Sequence, residues 1–177
     1  MEVFQGRPAD VTGRLEKEIA VYDLLNQLDI PFRRVDHDHA DTMEMCQEID
    51  QALGQDICKN LFLCNRQKTK FYLLLMPGDK PIKTKDLSAP IGSSRLSFGG
   101  PEDMERLLNL TPGSVTVLGL MYDPDCQVTL LIDQDLYQQT AFGCHPCINT
   151  STVQFSTADF REKLLPALGH PVTLVQL

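Results

Sequence analysis

The sequence has no apolar run long enough to cross a membrane, and its first ten residues carry charges, Gly6 and Pro8 in place of an apolar signal core. We therefore expect a cytoplasmic protein without membrane contact. The chain also lacks the glycine-rich phosphate loop, the dinucleotide fingerprint, the nucleophile elbow of serine hydrolases and the paired-histidine motif of zinc proteases. These absences give no support to the corresponding nucleotide, serine-hydrolase or zinc-hydrolase chemistries, and no cofactor is predicted.

Positive charge is scarce, because 16 Lys and Arg face 24 Asp and Glu and give a net charge of −8. Phosphate binding depends on clustered basic side chains, so this balance argues against a broad nucleic-acid footprint. The middle third nevertheless concentrates several basic residues: Lys68, Lys70, Lys80, Lys83, Lys85 and Arg95. They make a small basic patch possible, one that binds RNA weakly and with strong salt dependence.

The six cysteines have no framework spacing, and we expect reduced thiols buried as small hydrophobic residues. Cys144 and Cys147 do have the C-x-x-C spacing of a redox or zinc half-site. A structural zinc site needs four ligands, and no second half-site completes the set, so no metal is predicted. A dithiol active site is expected at a helix N-terminus, whereas strand-like residues follow this pair. Cysteine redox chemistry remains the least favoured alternative.

The length of 177 residues fits one domain over 1–177, with residues 1–12 as a flexible N-terminal extension. Periodicity and capping residues predict helices over 13–29, 43–52, 84–88, 101–109 and 158–168. Apolar runs predict strands over 61–64, 71–76, 128–132, 140–142, 150–155 and 172–176, with an extended segment over 31–35 and a loop over 110–116. Helices and strands mix without steady βαβ alternation, which favours the α+β class with a mixed sheet.

Two polar segments stand out at the ends of predicted strands. Lys59 and Asn60 precede a strongly apolar strand, and His145, Pro146 and Asn149 follow another strand later in the chain. If the fold brings them together, they form a cationic, amide-lined pocket with a histidine wall, which suits a ligand carrying phosphate and an ester. Taken singly, a lysine here is more often a solvated strand end, and the histidine a packed or surface residue.

The loop after Pro112 offers a further candidate. Its residues Gly113, Ser114, Val115 and Thr116 can turn successive backbone N–H groups inward, and such a nest holds an oxyanion or a carboxylate. A plain turn between a helix and a strand explains the same residues, and from the sequence alone it is the simpler interpretation.

Six segments taken in order resemble the YbaK/ProX family of aminoacyl-tRNA deacylases, and most of all its free-standing ProX (PrdX) branch. They are residues 34–37, 58–63, 79–80, 95–98, 110–116 and 145–150. This branch is similar to the editing domain inserted in bacterial prolyl-tRNA synthetases. The resemblance spans about residues 15–177 and implies a YbaK/ProRS-editing-domain-like fold, with a mixed, mostly antiparallel curved sheet flanked by helices.

The resemblance also implies an activity, namely hydrolysis in trans of the ester of mischarged tRNA, with alanyl-tRNA(Pro) as the usual substrate of the branch. The implied partners are the 3′-aminoacyl end and acceptor stem of that tRNA, and prolyl-tRNA synthetase. A non-catalytic module that binds tRNA or a synthetase through the same fold is the alternative. A deacylation assay with mischarged tRNA separates the two.

Site residues follow from the same resemblance. It implies that Lys59 meets the terminal adenosine and its phosphate with Asn60 beside it, that the Gly113 loop faces the aminoacyl group, and that His145 lines the amino-acid pocket. The implied substrate-binding residues are Ser97, Ser114, Val115, Thr116, Pro146 and Asn149. Lysine has a reference pKa of about 10.4, so Lys59 is expected to anchor phosphate rather than act as a general base.

The chain departs from the family pattern at two places. The family loop usually reads G-x-x-x-P, whereas Val117 occupies the proline position here. Hydrophobic residues commonly flank the His-Pro pair, and Cys144 and Cys147 fill those positions. The second departure favours packing roles for both thiols.

Overall fold

The computed structural model describes residues 1–177, and its first sheet is antiparallel throughout with the order β1–β2–β8–β7. Its strands are β1 (Phe4–Gln5), β2 (Arg33–Asp36), β7 (Ala141–Cys144) and β8 (Ser151–Ser156). Because β1 pairs with β2, part of the segment predicted as a flexible extension belongs to this sheet.

The second sheet is mixed and has the order β5–β3–β4–β6–β9. Its central strand β4 is antiparallel to β3 and parallel to β6. The strands are β3 (Lys59–Cys64), β4 (Phe71–Met76), β5 (Ser97–Phe98), β6 (Val128–Asp133) and β9 (Val172–Val175). The predicted α+β class is confirmed, with the strands divided between two sheets rather than joined in one.

The two sheets share one main hydrophobic core. Along β4, Leu73 and Leu75 belong to the main core cluster, while Tyr72 and Leu74 belong to a second cluster on the opposite face, as the two-residue period of a strand requires. Strands of the first sheet contribute Phe142 to the same main cluster. The inward faces of both sheets therefore share a core, which is how two sheets bury their apolar sides.

The helices agree well with the capping signals of the sequence. Thr42 accepts a hydrogen bond from the Met45 N–H at 3.2 Å, and Gly54 ends the second helix with φ of 72°. Ser156 caps the last helical segment by accepting from Asp159 N–H at 3.1 Å. The helices are α1 (Glu16–Gln27), α2 (Met43–Leu53), α3 (Thr84–Ser88), α4 (Pro101–Leu108), α5 (Thr157–Asp159) and α6 (Leu165–Leu168).

Three helical features were not predicted from the sequence. A π-helical turn (Phe160–Leu164) connects α5 to α6. Two 3₁₀ helices, Val117–Tyr122 and Gln134–Gln138, follow the loop at 110–116 and strand β6. None of the helices has the length and apolar character that a membrane span requires.

Candidate functional site

The two polar segments, which the sequence analysis considered as one pocket if the fold joined them, line one cleft. The cleft consists of two adjoining cavities that share Ile57, Cys58 and His145 as walls. The larger cavity, of about 370 Å³, contains Lys59. The smaller cavity, of about 240 Å³, contains Asn60, and the Gly113 loop forms one of its walls.

Lys59 is the first residue of β3, and its ammonium group donates a hydrogen bond to the backbone carbonyl of Lys80. It takes part in none of the ion pairs of the protein. Lys80, in contrast, is paired with Asp133 at 2.8 Å and with Asp135 at 2.7 Å, and these hydrogen bonds raise its pKa. The ammonium of Lys59 is therefore the cation in the cleft that has no carboxylate partner.

Asn60 connects strand β3 to the loop beside the cleft. Its Oδ1 accepts a hydrogen bond from the Val117 N–H at 2.9 Å. Its Nδ2 lies 3.3 Å from the Cys58 carbonyl and 3.2 Å from the Cys58 sulfur. Both ends of the amide are thus used within the protein, and Asn60 fixes the position of the loop relative to Lys59.

The loop presents part of the predicted nest of backbone donors. Gly113 has φ of +88°, a conformation that residues with a side chain rarely adopt. The N–H of Ser114 is committed to the Thr111 carbonyl at 3.0 Å, whereas the N–H groups of Gly113 and Val115 make no hydrogen bond within the protein. Gly113 and Val115 both line the smaller cavity, so two backbone N–H groups without protein acceptors belong to its wall residues.

His145 is held by its Nδ1, which lies 2.9 Å from the Ser151 carbonyl. A carbonyl oxygen only accepts, so Nδ1 carries the hydrogen. Burial lowers the pKa of His145 below its ordinary value of 6.5, and the neighbouring His37 lowers it further. The ring is therefore neutral at pH 7, and its Nε2, which has no partner in the protein, is a hydrogen-bond acceptor.

Several predicted residues support the cleft without lining it. Asn149 accepts from the Ala40 N–H at 3.1 Å and donates to Asp41 at 2.9 Å, which holds that segment beside Gly113. The Ser114 hydroxyl donates to the Thr111 carbonyl at 2.8 Å within the loop, and the buried Thr116 caps the following 3₁₀ helix. Pro146 is buried behind His145.

Ser97 lies outside the cleft. It pairs with Cys64 at the far end of β3, with its hydroxyl 3.6 Å from the Cys64 sulfur. A strand rises by about 3.3 Å per residue, so Lys59 and Cys64 are separated by about 16 Å along β3. The structure therefore does not bring Ser97 together with Lys59.

The cysteines match the expectation of buried thiols at four of six positions, since Cys58, Cys64, Cys144 and Cys147 are buried. Burial raises the pKa of Cys58 and that of Cys147 to about 12. It also raises the pKa of Cys144 well above its ordinary value. These thiols are neutral at pH 7 and poor nucleophiles, which gives no support to a dithiol active site.

Sequence reasoning missed the contribution of α2 and the following turn to the larger cavity. Cys46, Asp50 and Asp56 line it together with Lys59. Asp50 accepts a hydrogen bond from the Ile57 N–H at 3.0 Å, and burial raises its pKa. The sequence predicted a helix over 43–52, but nothing in the sequence placed a face of that helix beside Lys59.

A separate basic cavity of about 680 Å³ lies beside the second sheet and is lined by Lys83, Lys85 and Arg95. Phe98, which is 62% exposed, stands at its wall. A small cavity of about 270 Å³ contains both Lys80 and Lys83. This cavity adjoins the basic one through Lys83, and the Lys80 carbonyl at its wall accepts the hydrogen bond of Lys59.

Known proteins match this chain over most of its length. Residues 37–163 match the family model described as aminoacyl-tRNA editing domain. The chain is 31% identical over 163 residues to the Prolyl-tRNA editing protein ProX of Acetoanaerobium sticklandii, with 92% of this chain and 99% of that protein covered. It is 28% identical over 169 residues to Prolyl-tRNA synthetase associated domain-containing protein 1 of Danio rerio, with 94% and 88% covered.

The fold also matches a solved structure. A crystal structure of a candidate trans-editing enzyme for prolyl tRNA synthetase superposes with a TM-score of 0.66 at 17% identity, with 92% of this chain and 98% of that chain covered. At this identity the similarity concerns the fold, and it confirms the predicted editing-domain-like architecture.

Proposed function

Because this chain belongs to the aminoacyl-tRNA editing domain family, as its six ordered segments predicted, we propose that it is a trans-editing deacylase that hydrolyses the ester of mischarged tRNA, with alanyl-tRNA(Pro) as substrate. The observation that carries the proposal is the unpaired ammonium of Lys59 in a cleft whose smaller cavity combines free backbone donors with a neutral histidine. A phosphate and an ester are the groups that such a cleft suits.

Lys59 anchors the terminal nucleotide by its charge. Its ammonium forms no ion pair within the protein, although Asp50 and Asp56 line the same cavity, so it is available to bind a phosphate of the terminal adenosine. The Lys80 carbonyl holds the ammonium at the mouth of β3, and Asp133 and Asp135 in turn hold Lys80. The lysine therefore meets the phosphate from a fixed position.

Hydrolysis needs little beyond positioning, because an aminoacyl ester is already activated. Water adds to the ester carbonyl, the bond from that carbon to the ribose oxygen breaks, and the ribose hydroxyl and free amino acid are released. The N–H groups of Gly113 and Val115 stabilise the oxyanion that forms on the carbonyl oxygen. The ribose hydroxyl of the substrate and the loop backbone orient the water.

We assign selectivity to the walls of the smaller cavity, which include Ile57, Val115 and His145. The cavity volume of about 240 Å³ exceeds that of an alanyl or a prolyl group, so the fit of the side chain against these walls decides which group is hydrolysed. Rejecting the cognate group by its fit follows the sieve logic of editing sites. His145 contributes both a wall and a hydrogen-bond acceptor at Nε2.

The acceptor stem follows the basic cavity. Lys83, Lys85 and Arg95 supply positive charge around this cavity, and the exposed ring of Phe98 offers a stacking surface. The name of the relative in Danio rerio further supports contact with prolyl-tRNA synthetase. This surface explains how an acidic protein engages RNA locally.

The decisive experiment measures deacylation of purified alanyl-tRNA(Pro) by the wild-type protein and by Lys59→Ala, with Lys68→Ala as the matched control on the exposed turn between β3 and β4. We expect hydrolysis by the wild type and by Lys68→Ala, and at least 100-fold less by Lys59→Ala. A folded Lys59→Ala variant with full activity contradicts the proposal. A wild type that binds tRNA without hydrolysing it favours the non-catalytic module.

A further inference from the structure

Two histidines share one hydroxyl group at the edge of the cleft. Thr152, which is fully buried in β8, has its Oγ1 2.9 Å from His37 Nε2 and 3.3 Å from His145 Nδ1. The two rings are tilted by 56° with centroids 6.0 Å apart. Neither His37 nor Thr152 lines the cleft, and the proposed hydrolysis uses neither directly.

The proton positions along the hydrogen bonds that join His37, Thr152 and His145 follow from the carbonyl groups that contact the two rings. His37 Nδ1 lies 2.7 Å from the Asp38 carbonyl, and His145 Nδ1 lies 2.9 Å from the Ser151 carbonyl. Each carbonyl accepts only, so in each ring Nδ1 carries the hydrogen and Nε2 has the free lone pair. The Thr152 hydroxyl must then donate to His37 Nε2, and its oxygen accepts from the Nδ1–H of His145.

We propose that His37 and Thr152 are positioning residues that, together with the Ser151 carbonyl, hold His145 in its Nδ1–H tautomer and thereby keep the Nε2 lone pair available to the cleft. In its catalytic consequence this inference rests on the proposed deacylase function. The Nε2 lone pair can accept a hydrogen bond from the attacking water or from the ammonium of the aminoacyl group. In the opposite tautomer the same atom is a donor, which repels the ammonium and accepts no hydrogen from the water.

The tautomer of His145 depends on His37, because His37 Nε2 accepts the hydrogen of the Thr152 hydroxyl. Without an acceptor at His37 Nε2, the Thr152 hydroxyl can turn and donate to His145 Nδ1, which favours the wrong tautomer. The backbone holds the ring in place, since the His37 N–H donates to the Thr150 carbonyl at 3.0 Å. The Thr152 hydroxyl is thus the group that forms a hydrogen bond with each of the two rings.

The test compares His37→Ala, which removes the acceptor and leaves the Thr152 hydroxyl able to turn, with the double variant His37→Ala/Thr152→Val, which removes the hydroxyl as well. Two-bond nitrogen–proton NMR correlations of the imidazole rings report each tautomer directly, and the chain contains only 4 histidines to assign. Deacylation of alanyl-tRNA(Pro) gives kcat and KM, and thermal unfolding reports stability. His39→Ala, at an exposed histidine outside both cavities, is the control.

We expect the Nδ1–H tautomer of His145 in the wild type and in the double variant, because the Ser151 carbonyl is then the only partner of Nδ1. In His37→Ala we expect a mixture of tautomers and a kcat lower by about fivefold, the equivalent of one neutral hydrogen bond, with KM nearly unchanged. His145 as the Nε2–H tautomer in the wild type overturns the proposal. So does a fall in kcat of His37→Ala with wild-type imidazole signals for His145, because that result indicates a packing role.

The two proposals fail in different ways. If the wild type hydrolyses no aminoacyl ester but the His145 tautomer shifts in His37→Ala as expected, the deacylase function fails and the proposed roles of His37 and Thr152 stand. If the wild type is active and the His145 tautomer is the same in all variants, the proposed roles of His37 and Thr152 fail and the deacylase function stands.

Discussion

The amide oxygen of Asn60 accepts a hydrogen bond from the backbone N–H of Val117 at 2.9 Å, across the gap between β3 and the Gly113 loop. Val117 stands where the family resemblance implies proline, which has no N–H. The backbone here suits either residue, because Thr116 is extended with φ of −154° and ψ of 151°, and Val117 begins a 3₁₀ helix. The hydrogen bond therefore holds the loop at the point where a proline ring restricts it in relatives.

Replacing Val117 by proline tests this equivalence. Val117→Pro removes the donor but fits the backbone, so we expect a loss of about 1 kcal/mol in the free energy of unfolding and little loss of hydrolysis. Asn60→Ala leaves the N–H of the buried Val117 without its partner, at a cost of about 1–3 kcal/mol, and frees the loop. Urea unfolding measures the two losses of stability, and deacylation rates measure the two losses of activity. A larger loss in Val117→Pro than in Asn60→Ala contradicts the equivalence of the hydrogen bond and the proline ring.

Gly113→Ala should remove activity by moving the loop. At φ of +88° an alanine is strained by about 1–2 kcal/mol, and its Cβ would lie 3.1 Å from Nδ2 of Asn149. Gly169→Ala carries similar strain at φ of +75° but meets nothing within 4 Å, so it is the matched control. We expect similar losses of unfolding free energy and a fall in deacylation, by at least tenfold, only for Gly113→Ala. Equal activity of the two variants would show that the loop is not part of the site.

The pH dependence of deacylation should follow the protonation of His145. Burial and the nearby His37 hold its pKa below 6.5, so the neutral ring persists below that pH. As pH falls further, a proton binds Nε2, and the acceptor is lost together with activity. We expect an acid limb with a midpoint below 6.5 in the wild type.

His145→Ala should alter both that limb and selectivity. The variant loses the acid limb and enlarges the smaller cavity, so hydrolysis of the prolyl ester should rise relative to the alanyl ester by about tenfold or more. Rates on both esters across pH 5–8 measure the two effects together. An unchanged alanyl-to-prolyl ratio in a folded variant would refute the role of His145 as a wall.

Sequence patterns identified Lys59, Asn60 and His145 as candidates because polar residues at the ends of apolar strands can be recognised from their sequence neighbours alone. They could not exclude Ser97, since its distance from Lys59 depends on the pairing of Ser97 with Cys64. The Thr152–His37 contact likewise depends on the register between β2 and β8, where Val35 lies opposite Thr152. Register between distant strands is set by packing of the whole core, and no short motif records it.

The basic cavity should determine how binding depends on salt. Lys83→Gln and Lys85→Gln each remove one charge from its wall, whereas Lys68→Gln removes one outside it. We expect the first two to raise KM for alanyl-tRNA(Pro) and to reduce the slope of log affinity against log salt by about 1 each, with kcat unchanged. Titrations of tRNA at several salt concentrations measure the slope. Equal effects from all three variants would indicate nonspecific attraction only.

Thiol alkylation separates the cleft from the cysteine redox alternative. Cys46 and Cys126 are exposed, and of these two only Cys46 lines the larger cavity beside Lys59. We expect N-ethylmaleimide to label these two thiols in the folded protein, and mass spectrometry after denaturation to show the other four becoming reactive.

Alkylation should stop deacylation through Cys46 alone, because the added group fills the cavity that receives the terminal nucleotide. Cys46→Ser should be active and resistant to the reagent, while Cys126→Ser should remain sensitive. Loss of activity in Cys46→Ser itself, or rapid labelling of the buried Cys144 and Cys147 in the folded protein, would instead point to chemistry at the thiols, since packing residues neither react nor turn over substrate.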